Sequence, residues 1–493
     1  MNAPAFDSAQ TLQLHLVDQY GQRTPGSKRL AAQYRPVFAD KSSIGFAFSP
    51  ELKEISYPLS VERADGAFLW DVDGNRYTDI LMGLGTHLFG HNPPFMREAI
   101  ARTLERGFAI GPQSPLVGEL ATLVCELTGM ERATFSNTGT EAVMTALRIA
   151  RCATGRRKVV TFVNSYHGHF DAALMRPPIS DYARRKLIGK LRGKPLTGPL
   201  VALLERLGSR GAVPAFAGVS TAAAREVMVL EYGHPRSLDM IRAQSKDIAA
   251  VLVEPVQSRC PELQPREFLQ ALRQLTTDTG IALVMDEMVN GFRVAAGGAQ
   301  EWFGVRGDLA TYSKIAGGGL PLSVIAGSAR FMDRIDGGAW RYGDDSAPDR
   351  NTTFFAGTFA KHPLSLATAH AVLSEIRSRG PALYDGLNAR TEALVVRLNS
   401  GCRSAGLPVE FVRFGSFFAI AGSRSRLDPQ AQLLLSYLLL LRGIHLRIGD
   451  RGGFLSTAHG DAEVDAIAVA FLESLAVLRD AGLIKTSSNG DAS

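Results

Sequence analysis

The sequence predicts an α/β fold built around a mostly parallel sheet. From about residue 116 onward, short apolar runs alternate with segments that have the periodicity of helices. Three of these runs, at 158–163, 248–253 and 281–285, are five or six residues long. Apolar runs of this length between helices are typical of strands buried on both faces of a parallel sheet.

The two ends of the chain follow other patterns. Residues 69–77 read as a strand, an Asp-Gly turn and a second strand. Helical patterns dominate again from about residue 364, and the last of them lies near 462–480. The predicted segments are an N-terminal arm without strong periodicity (1–55), the first part of a small domain with active-site loops (56–115), a large domain (116–363), the C-terminal small domain (364–484) and a disordered polar tail (485–493).

Residues 180–226 interrupt the alternation of strands and helices and are interpreted as an insertion. Between 184 and 194 this segment carries six Lys or Arg residues. A basic segment attracts an acidic partner by charge steering, so an acidic carrier protein is one candidate partner. The alternative is an ordinary solvated insertion.

The composition and charge of the chain limit the kinds of function that it can have. The chain has 493 residues, of which 45% are hydrophobic and 21% charged, which is ordinary for a globular protein. Its net charge of +6 is spread along the sequence, so an anionic substrate or protein partner is expected rather than a nucleic acid. The four cysteines form no CxxC pair, and the longest apolar run, 431–441, is too short to span a bilayer. We expect a cytoplasmic protein without membrane contact.

The stretch Ser136-Asn137-Thr138-Gly139-Thr140-Glu141-Ala142 lies between a predicted strand and a predicted helix. Small residues at the start of a helix expose backbone N–H groups, which together with the helix dipole form a cradle for a phosphate. The alternative is an ordinary helix start in which Thr140 is the N-cap.

Tyr166-His167-Gly168-His169 follows the strand that ends at Val163. An aromatic side chain at the carboxyl end of a strand can stack on a planar ring. Two histidines one residue apart also suggest a metal, but no further cluster of ligands accompanies them, so no metal is expected. Ordinary packing is the remaining alternative.

Two charged residues, each beside an unusual local sequence, are further candidates for the functional site. Asp286 comes directly after the apolar run at 281–285, and Lys314 is followed closely by Gly317, Gly318 and Gly319. Three glycines allow close backbone packing or a positive φ, and they leave room for a planar group attached to the lysine.

These four features, in this order, resemble the class III (fold type I) aminotransferases that depend on pyridoxal phosphate. The stretch from Asp286 through Asp308 to Lys314 is similar to the signature of that family almost position by position. The resemblance covers roughly residues 55–480. It implies a large domain with a mostly parallel seven-stranded sheet between helices, and a smaller α+β domain formed by the N- and C-terminal parts.

The resemblance also implies pyridoxal phosphate as cofactor and names the catalytic groups. Lys314 would form the Schiff base to the cofactor aldehyde and, once freed, act as the general base. Asp286 would pair with the pyridine nitrogen, and Tyr166 would pack on one face of the ring with Met288 on the other. The residues implied at the cofactor are Thr138, Gly139, Thr140, Tyr166, His167, Glu254, Asp286, Met288, Val289, Lys314, Gly357 and Thr358.

Gly357 and Thr358 look like the segment that reaches the phosphate of a neighbouring subunit, which implies a homodimer with shared active sites. Several family members have a glutamate side chain at the position of Arg259. This chain therefore lacks the residue with which those members handle glutamate as a substrate. Residues 453–459 resemble glutamate-1-semialdehyde aminomutases.

The segments 229–238 and 254–269 look like aminotransferase domains of hybrid polyketide–nonribosomal peptide synthases. The expected reaction moves an amino group from an amino-acid donor to a keto or aldehyde group on an acyl intermediate of secondary metabolism, which could be a β-ketoacyl chain on a carrier protein. The alternatives are an isomerase (an aminomutase or racemase) and an ω-transaminase for free small amines.

Overall fold

The computed structural model describes residue 6 and residues 8–41, 48–180, 187–188, 191, 197–206 and 211–484. The six basic residues of the 184–194 segment and the predicted tail lie outside these residues. The chain divides into a terminal unit, Met1–Glu98 with Pro381–Ser493, and a central unit, Ala99–Gly380. These limits differ from the predicted domain limits at 115/116 and 363/364, which stay predictions.

The regular elements of the described residues are numbered along the chain. The strands are β1 (Val61–Asp65), β2 (Phe68–Asp71), β3 (Arg76–Asp79), β4 (Arg132–Ser136), β5 (Lys158–Phe162), β6 (Met175–Arg176), β7 (Val213–Pro214), β8 (Val227–Leu230), β9 (Ile248–Val253), β10 (Ala282–Asp286), β11 (Leu309–Tyr312), β12 (Ser323–Gly327), β13 (Phe411–Phe414), β14 (Phe417–Ile420), β15 (Ile444–His445) and β16 (Gly452–Phe454). The helices are α1 (Ala9–Arg23), α2 (Pro25–Tyr34), α3 (Met82–Gly85), α4 (Pro94–Arg106), α5 (Leu116–Thr128), α6 (Gly139–Thr154), α7 (Gly198–Arg206), α8 (Pro235–Ala243), α9 (Arg266–Thr279), α10 (Gly298–Phe303), α11 (Ala329–Asp336), α12 (Pro363–Arg379), α13 (Pro381–Ser404), α14 (Pro429–Leu441) and α15 (Asp461–Asp480).

The central unit is built on a seven-stranded sheet in the order β4-β12-β11-β10-β9-β5-β8. Strand β12 is antiparallel to both of its neighbours, and the other four pairs are parallel. The predicted α/β fold with a mostly parallel seven-stranded sheet is confirmed. All six residues of β9 are buried, as the continuous apolar run at 248–253 predicts.

Helix α6 covers one face of this sheet. Its residues Ala142, Val143, Ala146 and Ile149 belong to the apolar core together with side chains of the sheet strands, such as Val284. Their spacing of three and four residues places them on one side of the helix. Burying an aliphatic side chain of this size stabilises the fold by about 1.5–3 kcal/mol. The packing therefore fixes the start of α6 against the carboxyl ends of the strands.

A small ladder joins a strand just before the predicted insertion at 180–226 to a strand inside it. Strands β6 and β7 pair antiparallel, with Met175 opposite Pro214 and Arg176 opposite Val213. The part between them that the structure describes includes helix α7.

The terminal unit contains a sheet in the order β1-β2-β3-β15 and another in the order β13-β14-β16. The strand–turn–strand predicted at 69–77 is confirmed by the antiparallel pair β2 and β3. The apolar run at 431–441 lies in α14, and most of its residues are buried. No helix in the described ranges is both long and apolar enough to cross a membrane.

The N-terminal arm, whose sequence has no strong periodicity, contains the two helices α1 and α2. Helix α1 runs from Ala9 to Arg23 and buries Leu12, Leu16 and Tyr20, which are spaced four residues apart. This apolar stripe is only one residue wide, so it gives a weak periodic signal. Ser8 caps the helix by accepting a hydrogen bond from the N–H of Thr11.

Candidate active site

The candidate site lies in the central unit, where four neighbouring strands end at one edge of the sheet. Strands β5, β9, β10 and β11 are parallel and adjacent in the order β11-β10-β9-β5. Parallel strands place their carboxyl ends at the same edge, which is where ligands bind in open α/β sheets. Asp286 is the last residue of β10, and Tyr166 and His167, Glu254 and Lys314 follow the ends of β5, β9 and β11.

Asp286 and His167 form a buried pair at this edge. The Nδ1 atom of His167 lies 2.6 Å from Oδ2 of Asp286, and the two residues are 3% and 1% exposed, respectively. Since a carboxylate only accepts, the ring N–H at Nδ1 is the donor. The other carboxylate oxygen of Asp286 accepts the N–H of Met288 at 3.1 Å. The buried Nε2 atom of His167 has no hydrogen-bond partner among the described residues.

Lys314 begins a short 3-10 turn directly after β11. Its φ of 45° is a left-handed conformation that costs a residue with a side chain of the order of 1 kcal/mol. Burial lowers the pKa of its amine, and the charges of Asp286 and Glu254 oppose that shift. The cation of Arg293 lowers it further. A lowered pKa keeps a larger share of the amine in the neutral form, which is the form that acts as a nucleophile or base.

The carboxylate of Glu254 is hydrogen-bonded to the backbone of two loops at the site. Its Oε1 accepts the N–H of Ser258 at 2.8 Å, and its Oε2 accepts the N–H of Tyr166 at 3.4 Å. The side chain is buried, which raises its pKa. The neighbouring charge of Asp286 raises it as well, while His167 opposes the shift. The site therefore has two close carboxylates at its floor.

The stretch predicted as a phosphate cradle forms the start of α6. Thr138 is the N-cap, because its side chain accepts the N–H of Glu141 at 3.2 Å. The alternative in which Thr140 is the cap is wrong. The Thr140 hydroxyl instead accepts the N–H of His169 at 3.3 Å. With the cap at Thr138, the N–H groups of Gly139 and Thr140 lie in the first turn, where the helix offers them no partner.

Two glycines show how closely the cradle packs. A Cβ atom on Gly139 would lie 2.8 Å from Sδ of Met288. Gly168 has a φ of +93°, and a Cβ atom there would lie 2.6 Å from Oγ1 of Thr140. The loop after β5, the turn after β10 and the start of α6 are thus in direct contact.

The remaining predicted residues lie around this centre. Tyr166 is 50% exposed. Met288 and Val289 are partly buried, and the carbonyl of Val289 accepts a hydrogen bond from Nε of Arg293 at 3.0 Å. Gly357 and Thr358 are exposed.

Two further residues of this region are buried although the sequence pattern does not indicate it. Arg293 is 1% exposed although it is an arginine. Glu287 is fully buried and accepts the N–H groups of Ala299 at 3.1 Å and Gln300 at 2.8 Å. Burial raises the pKa of Glu287 to about 8, although these two N–H groups oppose the shift. A single charged residue beside an apolar run gives no pattern from which burial could be predicted.

The chemistry of the site fits pyridoxal phosphate. That cofactor needs an amine for its aldehyde, a carboxylate for its ring nitrogen and an anion cradle for its phosphate. Lys314, Asp286 and the first turn of α6 offer these groups in one place. The unpartnered Nε2 atom of His167 is a further polar atom available to a bound group. Within the described ranges, no cluster of three or more His, Cys, Asp or Glu residues could hold a metal ion.

Known proteins have the same sequence pattern and fold. Residues 51–426 match the family model of class-III aminotransferases. A glutamate-1-semialdehyde 2,1-aminomutase of Chloroflexus aurantiacus is 34% identical over 429 residues, which cover 83% of this chain and 87% of that protein.

Two solved structures share the fold with a TM-score of 0.77 each. One is a transaminase with pyridoxal phosphate bound, 28% identical and covering 93% of this chain and 99% of its own. The other is a β-phenylalanine aminotransferase from Variovorax paradoxus, 26% identical and covering 97% of this chain and 99% of its own. The chain therefore belongs to the class-III aminotransferases, which are pyridoxal-phosphate enzymes of fold type I.

Proposed function

We propose that this aminotransferase moves an amino group between neighbouring carbons of one small carboxylate-bearing substrate. The observation that carries this proposal is the similarity, over 83% of the chain, to a protein named glutamate-1-semialdehyde 2,1-aminomutase. The resemblance of residues 453–459 to such aminomutases supports it. The similarity to this relative thus supports an isomerisation, which the sequence leaves open as an alternative to amino-group transfer between two substrates.

Lys314 is proposed as the residue that holds the cofactor and moves the proton. When bound, pyridoxal phosphate draws electron density away from the substrate carbon that carries the amino group. The neutral amine of Lys314, favoured by burial, would remove the proton from that carbon and deliver it to the cofactor carbon bonded to the amino group, and it would reverse this transfer at the neighbouring substrate carbon. Asp286, held by His167, supplies a fixed negative charge for the ring nitrogen.

The other predicted residues are proposed to hold the cofactor in place. Thr138, Gly139 and Thr140 would bind the phosphate at the start of α6, and Tyr166 and Met288 would pack on the two ring faces. His167, Glu254 and Val289 complete this set. Glu254 acts through its hydrogen bond to the backbone of Tyr166, so it positions that ring.

A homodimer is proposed, with Gly357 and Thr358 serving the phosphate site of the partner. Exposed apolar side chains flank this segment: Phe354 is 77% and Phe359 57% exposed. Apolar surface of this kind marks a protein interface. Light scattering after gel filtration should give a mass of two chains, and a single-chain mass would contradict the proposal.

The second candidate is amination of a keto or aldehyde group on an acyl intermediate, free or carrier-bound. The likeness of residues 229–238 and 254–269 to synthase domains supports it. The fold shared with a β-phenylalanine aminotransferase supports a β-positioned amino group. The simplest form of this second candidate is transfer of the amino group to free small carbonyl compounds, as an ω-transaminase performs it. A role in secondary metabolism and a cytoplasmic location stay predictions.

One experiment separates the two candidates. The enzyme, loaded with cofactor, is given glutamate-1-semialdehyde without any amino donor, and the product is identified by mass spectrometry and NMR. Conversion without a donor supports the isomerase. In a parallel sample, glutamate as donor and a β-ketoacyl thioester as acceptor test transamination. Product in the second sample alone would overturn the isomerase proposal, and Lys314→Ala should abolish either reaction.

A carrier protein as partner is proposed only with the second candidate. The six basic residues of the 184–194 segment supply the charge that would attract an acidic carrier. Replacing all six with Gln should slow the reaction on a carrier-bound acyl chain and leave the rate on the same chain as a small thioester unchanged. Equal rates on the carrier-bound substrate would contradict docking by this segment.

A further inference from the structure

The second half of helix α6 holds a stretch of chain that lies far away in the sequence. The Nη1 atom of Arg148 donates to the carbonyl of Phe354 at 2.9 Å. Four residues further along the helix, Sγ of Cys152 lies 3.8 Å from the carbonyl oxygen of Asn351. Residues four apart lie on one side of a helix, so residues 351–354 run along one side of α6.

A second set of contacts holds the same stretch from helix α11. The Nη1 atom of Arg334 donates to the carbonyl of Asn351 at 3.1 Å, and the carbonyl of Arg334 accepts the N–H of Thr353 at 2.6 Å. Phe355 is partly buried and packs against the apolar core to which α6 belongs. The chain is therefore fixed as far as Phe355.

The chain becomes exposed directly after Phe355. Residues 356–359, called the 356–359 turn below, are all exposed, whereas Ala360 is only 5% exposed. The N–H of Ala360 donates to the carbonyl of Gly357 at 3.2 Å, and helix α12 begins at Pro363. Gly357 and Thr358 thus lie in a short exposed turn between two fixed ends.

The hydrogen bond from Arg148 determines where the backbone enters this turn. Its acceptor, the carbonyl of Phe354, lies three positions before Gly357. A hydrogen bond with a charged donor is roughly twice as strong as one between neutral groups. Because α6 is itself held by the apolar core, this bond connects the entry of the turn to the rigid centre of the unit.

Arg148 acts at a distance from the phosphate cradle of its own chain. It lies nine residues after Gly139, which is about 14 Å along the axis of α6, and its guanidinium is bound to the carbonyl of Phe354. The 356–359 turn comes closer to the start of α6, since a Cβ atom on Gly357 would lie 3.8 Å from Nδ2 of Asn137. Arg148 can therefore influence a bound phosphate only through the turn, and the turn can serve the phosphate of its own chain or that of a partner.

We propose that Arg148 is a positioning residue for the cofactor phosphate in the site of the partner subunit. It holds the backbone from which Gly357 and Thr358 reach that phosphate. One helix α6 then serves its own phosphate with its first turn and the phosphate of the partner through Arg148. This inference rests on the proposed homodimer, and it is independent of whether the reaction is an isomerisation or an amino-group transfer.

The first test compares the binding of pyridoxal phosphate with that of pyridoxal, which lacks the phosphate. In Arg148→Met the Kd of pyridoxal phosphate should rise about tenfold, the factor for the loss of one hydrogen bond to a charged group. The Kd of pyridoxal should stay as in the wild type. Arg148→Lys keeps a charged donor and should have a smaller effect.

Arg151→Met is the matched control for Arg148→Met. Arg151 lies on the same helix, and its Nε atom also donates to a backbone carbonyl, that of Arg157 at 2.9 Å. This acceptor lies outside the stretch that leads to the turn. Arg151→Met should therefore leave the Kd of both ligands unchanged.

The second test uses mixed dimers, prepared by co-expressing two differently tagged chains and purifying on both tags. In the first dimer, a chain with both Arg148→Met and Lys314→Ala is paired with a wild-type chain. In the second dimer, an Arg148→Met chain is paired with a Lys314→Ala chain. Each dimer has one Lys314, and only cofactor bonded to Lys314 gives the absorbance that is titrated.

The two mixed dimers differ in which chain lends its turn to the site that retains Lys314. In the first dimer that turn comes from the chain without Arg148, so the Kd of pyridoxal phosphate should rise about tenfold. In the second dimer the turn comes from a chain with Arg148, so the Kd should equal that of a dimer of wild-type and Lys314→Ala chains.

Three results would overturn the inference. The reverse pattern would show that Arg148 acts on the site of its own chain. An equal loss in both dimers, or an equal loss for pyridoxal and pyridoxal phosphate, would show a general effect on the fold. An unchanged Kd in both dimers would show that the turn does not need Arg148. If Arg148→Met does not fold, Arg148→Gln, which is shorter and uncharged, decides by the same comparison.

Failure of the inference can be told apart from failure of the proposed function. A single-chain mass in light scattering would remove the homodimer and this inference together, whereas a dimer with the reverse pattern would remove the inference alone. If the mixed dimers show the expected pattern but the wild type catalyses neither amino-group reaction, the proposed reaction fails and the inference stands.

Discussion

The Nδ1 atom of His167 lies 2.6 Å from Oδ2 of Asp286, and this contact joins the ends of two strands that are not neighbours. His167 follows β5 and Asp286 ends β10, with β9 between them in the sheet. Both side chains are at most 3% exposed. A hydrogen bond in such a place is costly to break, since either partner would be left buried and unpaired. The pair therefore gives Asp286 a fixed orientation at the floor of the site.

Asp286→Asn should lower the rate of amino-group transfer by about 100-fold or more. A charge fixed where charge develops in a reaction is typically worth a factor of 10² to 10³, and asparagine removes that charge. The measurement is a single-turnover rate with the cofactor at saturating concentration. Asp171→Asn is the matched control, because that carboxylate is exposed and accepts the N–H of Ser220 outside the site.

Loss of cofactor is measured separately for Asp286→Asn by equilibrium dialysis. A variant that retains the cofactor and reacts at the wild-type rate would show that Asp286 is not the partner of the ring nitrogen.

Gly168→Ala should weaken cofactor binding and destabilise the protein more than Gly155→Ala does. Both glycines have a positive φ, +93° and +67°, so both substitutions strain the backbone. At Gly168 the new methyl group would in addition meet Oγ1 of Thr140 at 2.6 Å and its Cα at 3.0 Å, whereas at Gly155 it meets nothing within 4 Å. Cofactor titration and thermal melting of the two variants measure the difference. Equal effects would show that the contact between the loop and the start of α6 is unimportant.

Glu287→Gln should change how the melting temperature depends on pH. Burial raises the pKa of Glu287 from its ordinary 4.5 to about 8. Between these values the folded state keeps a proton that the unfolded state has lost, so this group makes stability fall as pH rises. Glutamine cannot lose a proton. The melting temperature of Glu287→Gln relative to the wild type should therefore rise from about pH 5 to about pH 8. A constant difference over this range would contradict the raised pKa.

Much of the sheet and the order of the site were predictable from the chain. The run at 248–253 coincides with β9, because a strand buried on both faces must be apolar at every position. Once the strands are parallel, the residues after 163, 253, 285 and 312 must lie at one edge. The antiparallel placement of β12 was not foreseen, since an apolar run carries no sign of its direction.

Other features depend on contacts that leave no local pattern. The N-cap at Thr138 rather than Thr140 follows from where the packing of α6 begins the helix. Asp79, for example, is hydrogen-bonded to His445, which is 366 positions further along the chain. Periodicity reports only on neighbours within a helix or strand, so a pair this distant could not be inferred from it.

Asp79 is the centre of a buried hydrogen-bond network in the terminal unit. Its Oδ1 lies 2.7 Å from Nδ1 of His445 and its Oδ2 lies 2.8 Å from Nε2 of His91. The carboxylate also accepts the N–H groups of Leu81 at 2.9 Å and Met82 at 3.2 Å. Burial alone would raise the pKa of Asp79, but the hydrogen bonds from His445 and His91 hold it well below its ordinary value.

Asp79→Asn should destabilise the protein at neutral pH by about 3–5 kcal/mol, the usual cost of removing one partner from a buried charged network. A depressed pKa means that the ionised form stabilises the fold above the ordinary value of 3.8. This stabilisation is lost as pH falls below that value toward the folded-state pKa, so the difference between wild type and variant should shrink there. Denaturant unfolding at pH 7 and at about pH 3 measures the two differences. Asp385→Asn, an exposed carboxylate on α13, is the control and should show neither. A difference that is as large in acid as at neutral pH would mean that Asp79 acts through its shape and not through its charge.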